Sequence, residues 1–222
     1  MKKVNTSFRF VTRENLTYLT AKKAKNANEL LAGIKEASQA SIYHHTHHFL
    51  QQYEFLHPEP PNDFAYWLTN VLKDSILGER VASIDLRQFH RLSDIRDRIV
   101  QVLEEGLKQS DGERSVPPGA EFNFMTAQTF VIPTKYEARN LREFRDCLGR
   151  ISVRSIYYHM FESRLRLERE DSDFAIWLRE SLGEEALASS LNRLDPYTQT
   201  LEGLRRRLSR MISERLEVKS NA

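Results

Sequence analysis

The chain has 222 residues, enough to bury a substantial core, with 40% hydrophobic and 29% charged residues and a formal net charge of +2. That near-balance gives no field for nucleic acid or an acidic lipid surface, and no apolar run reaches the length of a membrane span. A single cysteine, Cys147, excludes an intrachain disulfide and points to a reduced cytoplasmic setting.

In chain order, the opening "MKKVNTSFRF" lacks the apolar core of a secretory signal. Phe8 and Phe10 alternate as in a short strand, which needs a partner for its ladder groups: "LTYLT" or "TFVIP", or the equivalent strand elsewhere. "NELLAGIKEA" from about Asn28 predicts a helix, and "SIYHHTHHFLQQ" a second one carrying four histidines in five positions. Asn62 and Asp63 supply N-cap chemistry for a helix with Phe64, Trp67 and Leu68 on one face. A short helix around Ile76 to Ile84 precedes Asp85. An amphipathic helix with Ile95, Ile99, Val102 and Leu103 inward closes this part. Residues 108–121, "KQSDGERSVPPGAE", have the composition of a linker.

Beyond residue 121 the pattern returns. Residues 8–48 lie on 122–162 without a gap at an offset of 114, with 12 identities in 41 positions, too many in one register for chance. After a four-residue deletion Asp63, Phe64, Trp67, Leu68, Leu77 and Asp85 recur as Asp173, Phe174, Trp177, Leu178, Leu187 and Asp195. The expected architecture is mainly α with short β segments: a tandem duplication of two homologous helical modules, 1–107 and 122–222, packed as a pseudo-dimer. The repeated tryptophans are expected to be buried.

The duplicated elements "SIYHHTHHFLQQ…PPNDFAYWL" and "SIYYHMFESRLRLE…SDFAIWL" resemble a bacterial and archaeal family known as a domain of unknown function, over nearly the whole chain. In similar sequences these elements also travel as one copy. The resemblance implies no activity, substrate or cofactor.

The internal comparison sorts the histidines. His44 meets Tyr158, His47 meets Phe161 and His48 meets Glu162; only His45 recurs as a histidine, His159. Two readings stand. In one, His45 and His159 are buried and bonded to Asp63 and Asp173, or those aspartates cap helices, and the remaining histidines are solvated surface. In the other, His45 with His48 and His159 with Glu162 are i, i+3 pairs that share a divalent metal (zinc, iron or manganese), with Asp63 and Asp173 as ligands or outer partners. No phosphate loop, G-x-S-x-G elbow or H-E-x-x-H is present. The sequence reading is therefore a non-enzymatic protein-interaction or regulatory accessory protein, with a protein partner, no nucleic acid and no membrane. The alternative is a metal-binding protein or metal-dependent enzyme. Oligomeric state is not legible.

Overall fold

The structure, a computed structural model, describes residues 6–47, 62–109, 112–195 and 198–220. Among the described residues the β content is one two-stranded antiparallel sheet made of β1 (Phe8–Ala24) and β2 (Phe122–Ala138). Each strand is 17 residues long, far longer than the F-x-F segments alone suggest. "LTYLT" and "TFVIP" are thus not partners of those segments but their continuations, rich in the β-branched and aromatic residues that suit a strand. Pro133, which cannot donate to a ladder, is tolerated because a two-stranded sheet is all edge.

The described residues fall into two compact units. Those up to Glu14 and from Thr129 onward form one, the C-terminal unit; those from Asn15 to Gln128 form the other, the N-terminal unit. The division falls inside the strands rather than at 108–121. That segment is fastened to the N-terminal unit: Val116 N–H donates to Lys25 O at 2.8 Å, and Arg114 donates to Leu72 O at 2.8 Å.

In the N-terminal unit, α1 (Ala27–Glu36) starts where the Asn26 side chain accepts from Glu29 N, and α2 (Gln39–His47) carries the histidines. Next come α3 (Asp63–Tyr66), which runs into a π turn (Trp67–Val71), then α4 (Ser75–Ala82) and α5 (Leu92–Leu107). Leu30, Ile34, Ile42, Phe64, Leu68, Ile95, Ile99 and Leu103 are buried with Phe122 and Phe124 of β2. Gly33 is required by this packing. A Cβ there would lie 2.3 Å from Phe124 Cζ, so the missing side chain is the room the ring occupies.

The C-terminal unit contains α6 (Leu141–Leu148), α7 (Val153–Tyr157), a π turn (Tyr158–Glu162) that here follows the histidine-bearing helix, and α8 (Ser163–Leu167). α9 (Asp173–Glu180), α10 (Glu185–Asn192) and α11 (Leu201–Ser220) follow. Its core gathers Phe144, Ile156, Phe174, Trp177, Leu204 and Leu208 around Phe8 and Phe10 of β1. Both tryptophans are buried, as expected. The caps of α3 and α9 are Asn62 and Ser172, whose side chains accept from Ala65 N and Ala175 N; Asp63 and Asp173 are the first helical residues, which leaves their carboxylates available elsewhere. No helix among the described residues is long and apolar enough to cross a membrane.

Candidate functional site: a clamp on an extended strand

In the C-terminal unit, α7 and its π turn present Ser155 and His159, and α9 presents Asp173, Phe174 and Trp177. All five converge on the segment Thr6–Val11. Asp173 Oδ2 lies 2.8 Å from His159 Nδ1, and Val11 N–H donates to His159 Nε2 at 2.9 Å. Ser155 Oγ donates to Val11 O at 2.5 Å, so both backbone groups of one strand residue are held by side chains. Trp177 Nε1 donates to Thr6 O at 2.7 Å. Between these anchors Phe8 meets His159, Phe174 and Trp177 edge-on at centroid distances of 4.9, 5.3 and 5.6 Å, and Phe10 packs against Phe144 at 5.4 Å. Edge-to-face contact is the favoured geometry for such rings.

The N-terminal unit holds the segment Ala120–Met125 by the same contacts. His45 Nδ1 lies 2.8 Å from Asp63 Oδ2, and Met125 N–H donates to His45 Nε2 at 2.8 Å. Ser41 Oγ donates to Met125 O at 2.6 Å, and Trp67 Nε1 donates to Ala120 O at 2.9 Å. Phe122 lies 4.8 Å from His45, 5.3 Å from Phe64 and 6.0 Å from Trp67. The serine, histidine, aspartate, phenylalanine and tryptophan of the two sequence signatures are therefore one apparatus in each unit.

The hydrogen bonds define the tautomer. Nε2 accepts a backbone N–H, so it carries no proton; Nδ1 then carries the ring proton and donates it to the aspartate. In catalytic triads the aspartate does the same, but Nε2 faces a nucleophile. Here both nitrogens of each ring are consumed by protein groups. As arranged, the site can grip a backbone; it cannot relay a proton without letting the strand go.

The other predicted ligands have separate occupations. Glu162, fully buried, forms ion pairs with Arg13 of β1, itself buried under Tyr157, and with Arg166 at 2.7 Å. His48 lies outside the described residues. His44 and His47 were expected at the surface, and the structure corrects this: every residue of α2 from Ser41 to His47 is buried. His47 stacks parallel on Tyr43 at 5.3 Å and its Nδ1 lies 2.6 Å from Thr46 Oγ1, while burial lowers its pKa to about 3 and keeps it neutral. His44 sits edge-on to His45 at 5.1 Å. Among the described residues, His44, His45 and Asp63 form a group whose ligand atoms lie within 4.8 Å of one another.

Sequence reasoning missed Ser41, Ser155 and the two tryptophan N–H groups as parts of the site, although all four recur in the internal alignment. It also missed Arg13, which faces no counterpart because the aligned residue is Ala127.

The profile of DUF5752, a family of unknown function, matches residues 5–213. The chain is similar in structure to OrfY from Thermoproteus tenax, with a TM-score of 0.83 and 29% identity, covering 96% of this chain and 97% of that one. No curated protein matches it.

Proposed function

We propose, for a chain that belongs to the DUF5752 family of unknown function, a non-enzymatic role: a protein-interaction or regulatory accessory protein built by tandem duplication of a strand-holding helical module. The observation that carries this reading is the use of both ring nitrogens of His45 and His159 to hold backbone. The side chains that look most catalytic are spent on architecture. Apolar residues left outside point to a partner: Leu16, Tyr18 and Leu19 on β1, and Phe130, Val131 and Ile132 on β2, are all exposed. A cytoplasmic setting goes with this, since Cys147 is a free thiol.

The test has two parts. Photo-cross-linkers placed at Tyr18 and at Ile132 in cells should capture a defined protein, and Leu16→Ser or Phe130→Ser should abolish capture. Unchanged or absent adducts would overturn the interaction role.

A second reading, a divalent metal, draws on the proximity of His44, His45 and Asp63. It is opposed by the engagement of His45, His159 and Glu162 described above. Protein purified without an affinity tag should contain no stoichiometric zinc, iron or manganese; metal lost on His44→Gln would establish this reading instead.

A further inference from the structure

Resting on the strand-holding reading, we propose that each clamp is a receptor for an extended Phe-x-Phe segment, and that the clamp of the C-terminal unit accepts such a segment from another protein in exchange for its resident strand.

Two different sequences already occupy equivalent contacts. "TSFRFV" (6–11) and "AEFNFM" (120–125) agree only at the two phenylalanines. Thr6 and Ala120 are both recognised through their carbonyls, by Trp177 and Trp67, and the Thr6 hydroxyl, which Ala120 lacks, also meets Ser181 Oγ at 3.0 Å. Val11 and Met125 are recognised through N–H and C=O, by His159 with Ser155 and by His45 with Ser41. The residue between the phenylalanines is not read: Arg9 is exposed and Asn123 half-buried. The selectivity is thus for two aromatic side chains at i and i+2 on one face of an extended backbone, plus four backbone groups at fixed spacing, the fourth being the carbonyl of the second phenylalanine, which accepts from Thr134 Oγ1 at Phe10 and from Thr20 Oγ1 at Phe124. This is how strand-addition sites combine main-chain affinity with alternate side-chain pockets.

Chain connectivity adds nothing to the contacts. Val11 is 148 residues from His159 and Met125 is 80 residues from His45, so each clamp holds a remote piece of sequence. A Phe-x-Phe segment on a second polypeptide presents the same atoms. Residence in cis gives the internal strand a high effective concentration, and exchange follows when the partner segment is abundant or the resident one is weakened.

The experiment uses the full chain and a fluorescent peptide of residues 5–13, NTSFRFVTR. The Phe8→Ser/Phe10→Ser chain, whose own strand no longer fits, should bind one peptide per chain at least tenfold more tightly than wild type and melt at a higher temperature with it. GAEFNFMTA should bind as well, and NTSSRSVTR should not. Adding Ser155→Ala should weaken binding about tenfold. Should the double variant not fold, peptide added during refolding should restore its helical circular dichroism, and excess peptide on wild type should remove the hydrogen-exchange protection of the Val11 amide. No binding by either chain, no restoration, or equal binding of NTSSRSVTR overturns the proposal. If the peptide fails while the Val11 amide stays protected in wild type, strand-holding stands and only exchange in trans falls.

Discussion

Trp177 donates its indole N–H to the carbonyl of Thr6, a residue 171 positions earlier in the chain. A ring that is buried against Phe8 and Phe144 therefore also measures where the strand begins. Trp177→Phe keeps most of the packing and leaves the carbonyl without its donor, at a cost of about 1–2 kcal/mol. Trp177→Ala adds a cavity and should cost about 3–5 kcal/mol. Urea denaturation midpoints separate the two; a Trp177→Phe midpoint equal to that of the wild type would mean that the hydrogen bond is idle.

His45→Phe and His159→Phe fill the ring sites but strand the buried amides of Met125 and Val11. Each should lose about 1–3 kcal/mol of stability. Hydrogen exchange should accelerate at Met125 in the first variant and at Val11 in the second. Unchanged exchange at those amides would refute the clamp.

His47 carries a pH prediction. Its pKa is about 3 in the folded protein, against an ordinary 6.5 when unfolded. Above 6.5 neither state is protonated and stability is fully present. As pH falls from 6.5 towards 3 only the unfolded chain takes the proton, so stability is lost at about 1.4 kcal/mol per pH unit. His47→Phe, matching Phe161, removes this linkage. Between pH 6 and pH 4.5 the wild type should lose about 2 kcal/mol more than the variant; parallel stability curves would contradict the assignment.

Glu162→Leu leaves Arg13 buried without its counter-ion and should cost about 3–5 kcal/mol. The double variant Arg13→Met/Glu162→Leu should recover most of that loss, because no buried charge remains. A double variant as unstable as the single one would show that packing, not charge, sets the cost.

The sequence made part of this legible. Apolar periodicity marked the helices, and comparing the chain with itself singled out His45 and His159 and supplied Asp63 and Asp173 as their partners. What the strand segments held, and what held them, was invisible, because local periodicity carries no information about contacts 53 to 171 residues apart. The burial of His44 and His47 was hidden for a different reason. A histidine reads as polar, yet stacking on Tyr43 and a bond to Thr46 let His47 serve as a core aromatic.

The long separation between each clamp and its strand has a consequence during synthesis. When Ser41, His45 and Trp67 leave the ribosome, the segment they grip, Ala120–Met125, has yet to be translated. Phe8 and Phe10, made well before the residues that hold them, wait for Ser155, His159 and Trp177. Neither core can close until sequence from well downstream arrives, so the nascent chain carries exposed phenylalanines until it does. Translation speed between residues 67 and 125, and chaperone capacity during that interval, should govern the yield of folded protein more than the stability of the finished fold.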